Sequence, residues 1–90
     1  MRIDELVAEP EREEHIAEHN VSIEEAEEVA YGEHFATRAK HRYYRLIGQT
    51  SGGRYLTVFV APRGESIFSL VTARDATQRE RQAYQAHRRN

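Results

Sequence analysis

Arg38-Ala39-Lys40-His41-Arg42-Tyr43-Tyr44-Arg45-Leu46-Ile47-Gly48 is the stretch at which the chain changes character. Upstream the sequence is acidic and poor in β-formers; downstream it is basic and reads as strands. Residues 1–36 hold two arginines and twelve acids, hence a net charge of −10, and residues 37–90 hold eleven Lys and Arg and three acids, hence +8. The overall charge of −2 conceals this split. A basic half of this kind calls for an anionic partner: a nucleic acid, an acidic protein, or the chain's own acidic helices. Within the stretch, cations are interleaved with His41, Tyr43 and Tyr44. On a strand that pattern offers charges to phosphates and ring faces to bases. It equally describes an edge strand whose cations discourage sheet-to-sheet association.

Upstream of the stretch, Gly32 ends a helix that Ser22-Ile23-Glu24-Glu25 opens as a capping box. Its buried stripe is Ile23, Ala26, Val29 and Ala30. An earlier helix runs from Pro10 to about His19, with acids in its first turn, and Asn20 fits a left-handed cap. The acidic helices thus occupy about residues 10–30, and Ile3 to Ala8 is a short edge strand. The stretch itself becomes a strand over about Lys40 to Gln49. Downstream, Thr50-Ser51-Gly52-Gly53 turns, Arg54 to Ala61 reads as a central strand, Pro62-Arg63-Gly64 turns again, and Ser66 to Ala73 is a third strand. This meander spans about residues 40–73. Thr77-Gln78-Arg79-Glu80 is a second capping box, opening a basic helix over about 77–87 whose thin apolar content predicts loose docking. The result is one domain, residues 1–90, of α+β class in the order β-α-α-β-β-β-α, with a mostly antiparallel sheet.

Composition excludes several chemistries. Without cysteine there is no disulfide framework, thiolate metal site or thiol nucleophile. No apolar run approaches the ~20 residues of a membrane span, and the N-terminus lacks a signal-peptide core, so the expected compartment is cytoplasmic. His15-Ile16-Ala17-Glu18-His19 matches the His-x-x-Glu-His pattern of inverted zinc peptidases, but a third ligand and its scaffold have little room in ninety residues. No metal or cofactor is expected.

His19-Asn20-Val21-Ser22-Ile23-Glu24-Glu25-Ala26 resembles the His-Gly-Val-Ser-Phe-Glu-Glu-Ala signature of BrnT-type toxins. Gly48-Gln49-Thr50, Gly53-Arg54-Tyr55-Leu56, Thr72-Ala73-Arg74-Asp75-Ala76, Glu80-Arg81 and Tyr84 follow the rest of that pattern in order. The resemblance covers residues 9 to 84. It implies a RelE-like α+β fold and an mRNA-cleaving ribonuclease toxin, on the ribosome or free, of a type II toxin–antitoxin module. Its partner would be a small ribbon-helix-helix antitoxin of the BrnA kind; a homo-oligomer is compatible with the resemblance. The alternative is a catalytically inactive relative that binds an antitoxin or nucleic acid without cutting. Leu6-Val7-Ala8-Glu9-Pro10 stands where the family has an aromatic-Glu-Trp-Asp-Pro stretch, and the family's common Arg falls on Tyr43. Arg45 shares a strand face with position 43 and Arg42 does not, so Arg45 is the stand-in.

RNA cleavage without a metal needs a base for the 2′-hydroxyl, cations for the phosphorane, and an acid for the leaving 5′-oxygen. RelE-like toxins lean on the cations, which makes Arg45 and Arg74 the candidates for phosphate stabilisation. Glu80, the N3 carboxylate of the last capping box, is the candidate base beside Arg74. Tyr84, one turn on, is either core packing or an active-site phenol. His41 is the candidate acid, since strand spacing permits it to share Arg45's face. Lys40 and Arg42 are assigned to the substrate backbone and Tyr43 or Tyr44 to base stacking. Arg54 and Arg63 read as ordinary turn charges.

Overall fold

Local signals in the acidic half set the first two helices as read. A computed structural model describes residues 1–89. Pro10 opens α1 (Pro10–Ala17), and Asn20 takes the left-handed conformation, φ 60°, that turns the chain out of it. The Ser22 hydroxyl accepts from the Glu25 amide at 3.1 Å, and the Glu25 carboxylate accepts from the Ser22 amide at 3.0 Å. This reciprocal box opens α2 (Ile23–Tyr31). Ahead of the helices lies β1 (Glu5–Val7); after them come β2 (His34–Arg38), β3 (Tyr44–Gln49), β4 (Tyr55–Gly64), β5 (Ile67–Asp75) and α3 (Gln78–Arg89). The five strands form one sheet in the order β1-β5-β4-β3-β2, parallel between β1 and β5 and antiparallel elsewhere. The α+β class and the mostly antiparallel sheet are those read from the sequence.

Two local features differ from that reading. The strand expected from Lys40 begins only at Tyr44, because Lys40–Arg42 is a 3₁₀ turn in which His41 and Arg42 both sit at positive φ, 61° and 63°. The turn closes a hairpin, the Ala39 amide donating to the Tyr43 carbonyl at 2.9 Å, and so pairs β3 with a strand the sequence reading lacked, β2. Two successive left-handed residues without glycine are costly, but a two-residue hairpin favours this mirror-image turn because it matches the twist of the strands. At the next connection, β4 runs through Pro62-Arg63-Gly64 and reverses at Glu65-Ser66, with Ser66 at φ 58°. A register shift between Pro62 and Gly64 spares the ladder the missing proline donor.

The sheet has two unlike faces. On one, Leu46, Leu56, Val58, Val60, Phe68, Leu70 and Ala73 meet Ile16, Val21, Ala26, Val29 and Ala30 in the apolar core. Gly48 belongs to this face: a Cβ there would lie 3.0 Å from Val29 Cγ1 and 3.1 Å from the Glu33 carbonyl, so α2 packs against bare strand backbone. The other face is covered by α3, whose one buried residue is Tyr84. Among the described residues no helix is long and apolar enough to cross a membrane.

Arg54, read as a turn charge, instead ties three elements together. Its guanidinium bonds Asp75 at 2.8 Å and Glu25 at 3.1 Å, and donates to the carbonyls of Asn20 and His19. It therefore clamps the α1–α2 connection and the α2 capping box onto the end of β5. Charge-assisted bonds of this kind, in a side chain only 27% exposed, make Arg54→Ala an expected loss of about 1–3 kcal/mol, measurable by urea unfolding; a change within experimental error would contradict the clamp.

Candidate active site

Strand register lays side chains in lines across the face that carries α3. Thr37, Arg45, Phe59 and Thr72 are successive partners across β2, β3, β4 and β5. The neighbouring line is Phe35, Ile47, Thr57 and Arg74. α3 covers its centre, leaving Ile47 and Thr57 at 2% and 0% exposure, whereas all four residues of the first line stay half-buried. The position of Arg74 depends on one extra residue. A register shift between Phe59 and Val60 leaves Val71 unpaired. Leu70 and Ala73 therefore both face the core, and Arg74 swings to the α3 side, where unbroken alternation from Leu70 would have put it in the core.

The first turn of α3 brings Glu80 into this line. Arg74 grips the carboxylate with both ends of its fork, Nη1 to Oε1 at 2.8 Å and Nη2 to Oε2 at 3.0 Å. The Thr57 hydroxyl and the Thr77 amide donate to Oε1, each at 2.8 Å. Arg45 approaches from the other side, Nε lying 3.6 Å from Oε2 and Nη1 donating to Thr37 Oγ1 at 3.1 Å. Arg45 Nε is buried and, among the described residues, makes no hydrogen bond. Both guanidiniums flank the Phe59 ring, with Cζ of Arg45 and Arg74 at 5.6 and 5.3 Å from its centroid. Two cations against one anion leave the cluster with a positive charge. Burial alone would raise the Glu80 pKa, but the bonds from Arg74, Thr77 and Thr57 outweigh it and hold the group at about 2. The bond to Glu80 in turn pushes the Arg74 guanidinium up.

The remaining sequence candidates scatter. Tyr84 is 3% exposed, packed edge-to-face on Tyr55 at 6.2 Å and capped by Arg88, and burial pushes its phenol up; it joins α3 to the sheet. His41 is exposed in the turn with its ring against Tyr43. Strand alternation cannot place it with Arg45, because its backbone is left-handed. Lys40 and Arg42 are exposed at the same tip. Tyr44 lies on the core face, edge-on to Phe68 at 6.2 Å and beneath Arg38, so it is separated from Arg45 by the sheet. Tyr43, extended at φ −77°, ψ 163°, keeps Arg45's side. His15 in the last turn of α1 and His19 just past it meet edge-to-face at 5.3 Å, and His19 is exposed. Among the described residues no three His, Cys, Asp or Glu side chains group as metal ligands. Sequence reasoning missed Thr37, Thr57 and Phe59; among the apolar and β-branched residues of a central strand, nothing marks Phe59 as pointing into the site.

Fold and site together define a small α+β protein whose sheet presents two guanidiniums converging on one carboxylate. The model of the family described as "Ribonuclease toxin, BrnT, of type II toxin-antitoxin system" matches residues 8–80, and the chain belongs to that family. Membership implies an antitoxin partner. Among solved structures, the chain is similar to the crystal structure of the Brucella abortus ribonuclease toxin BrnT. The TM-score is 0.61 at 21% identity, over 82% of this chain and 97% of that one, a likeness of fold. No curated protein matches the chain.

Proposed function

We propose that this chain is a metal-independent mRNA endoribonuclease, acting in the cytoplasm and neutralised by a BrnA-like ribbon-helix-helix antitoxin. The observation that carries the reading is the buried, unpaired Nε of Arg45 beside the Arg74 fork. A buried donor without an acceptor costs free energy, and a phosphate oxygen supplies that acceptor. Guanidiniums that hold a carboxylate hold a phosphodiester by the same bonds. As the 2′-oxygen attacks phosphorus, charge grows on the equatorial oxygens, where Arg45 and Arg74 stabilise it without a metal.

Glu80 then changes role. Bound to Arg74 at about 2, its carboxylate is a weak base. Once substrate takes the Arg74 fork, burial outweighs the remaining bonds and raises the pKa, which fits the carboxylate to accept the 2′-hydroxyl proton. The leaving 5′-oxygen takes its proton from water. Lys40 and Arg42, exposed on the hairpin tip, serve the flanking backbone, and Tyr43 is the aromatic candidate on the productive face.

Single-stranded RNA incubated with the purified chain in EDTA tests this. Expected are fragments ending in 2′,3′-cyclic phosphate and 5′-hydroxyl, and no cutting where the 2′-hydroxyl is replaced by hydrogen. RNA that is bound yet stays intact would make the chain a binding module instead.

A further inference from the structure

The ring of Phe59 lies within cation–π reach of both guanidiniums, and the chemistry above gives it no task. We infer that Phe59 is a positioning residue, a platform that fixes the aim of Arg45 and Arg74; this rests on the endoribonuclease reading. Phe59 is the direct cross-strand partner of Arg45 and the diagonal neighbour of Arg74, whose own partner is Thr57. With the two Cζ atoms 5.6 and 5.3 Å from its centroid, the ring attracts both cations. A guanidinium held by its π-face keeps its N–H edge free, and here both edges turn toward the Glu80 carboxylate. Thr37 fixes the other end of Arg45. The buried Nε is thereby held open toward a site one anion can fill, rather than collapsing onto a neighbour. A central-strand phenylalanine left half-buried beside α3 has no comparable packing role, since the apolar core is on the opposite face.

Two variants separate positioning from packing. Phe59→Leu keeps apolar volume and loses the π-face; Phe59→Tyr keeps the face. Misaimed arginines still attract RNA, so Phe59→Leu is expected to lower kcat by about 10²-fold with KM nearly unchanged and urea stability close to wild type, while Phe59→Tyr restores kcat. A second readout does not depend on cleavage. In ¹⁵N NMR, the Arg45 Nε–H signal is expected to exchange slowly in wild type and Phe59→Tyr and to shift when inorganic phosphate is added. In Phe59→Leu it is expected to be lost to exchange. Equal kcat in the leucine and tyrosine variants, or an undisturbed Nε–H signal in Phe59→Leu, overturns the positioning role. Absence of cleavage by the wild-type chain overturns the endoribonuclease reading, and the Nε–H signals then decide the role of Phe59 alone.

Discussion

Arg45→Ala and Arg74→Ala are each expected to slow single-turnover RNA cleavage by roughly 10²–10³-fold, the usual cost of removing one preorganised donor from a growing oxyanion. The two differ in what they leave behind. Without Arg74, Glu80 loses its bidentate partner and keeps only the Thr57 and Thr77 donors, so burial raises its pKa and substrate loses the fork. Without Arg45, the Arg74–Glu80 pair stands intact, and the loss is the second cation, with its bond to Thr37 and its Nε free to donate. Because both cations hold one phosphate, the double variant should fall short of the product of the single effects. Arg74→Lys should recover little, since an ammonium supplies charge without the fork. Arg63→Ala, at an exposed position near the end of β4, should cleave as wild type does. In cells, induction of wild type should arrest growth and induction of the double variant should not. A folded double variant that cuts RNA at the wild-type rate would remove the guanidinium pair from the mechanism.

What the sequence discloses about this site follows the range of the forces involved. Capping boxes are local, two residues satisfying each other's amides three positions apart, and Ser22/Glu25 and Thr77/Glu80 are both legible and both formed. Strand β2 is not local in that sense. His34-Phe35-Ala36-Thr37-Arg38 carries no alternation of its own, and the turn joining it to β3 uses His41 and Arg42 at positive φ where glycine or asparagine would have signalled it. The convergence of Arg45 and Arg74 on one face is the least legible step. Period-two counting from Leu70 sends Arg74 into the core, and only the unpaired Val71 reverses it. Chemistry put the two arginines forward as a pair that could meet, while the bulge that brings them onto one face leaves no mark in composition. Glu80 reads as a helix cap and is one; its bonds to Thr57 and Arg74 depend on where α3 lies across the sheet, which no local signal encodes.

Glu80 should also govern how the fold responds to acid. Its pKa falls from the ordinary 4.5 to about 2 on folding. A carboxyl depressed in the folded state stabilises it at pH above the unfolded value, and that contribution fades as pH drops from about 5 toward 2. The difference corresponds to roughly 3 kcal/mol at neutral pH for a side chain this enclosed. Glu80→Gln keeps the shape, removes the charge, and leaves Arg74 and Arg45 beside Phe59 without an anion. Urea unfolding at a series of pH values is therefore expected to show Glu80→Gln less stable by about that amount at pH 7, with the gap narrowing below about pH 5 and closing toward pH 2. Glu25, also held below its usual range by the Ser22 and Arg54 bonds, contributes in the same direction in both proteins and cancels in the comparison. Arg74→Ala supplies the complementary check. Without the Arg74 bonds the depression of the Glu80 pKa shrinks, and this part of the acid sensitivity should weaken. Parallel pH curves for wild type, Glu80→Gln and Arg74→Ala would mean that the carboxylate and its arginine contribute nothing to stability, and would leave the bidentate pair without energetic consequence.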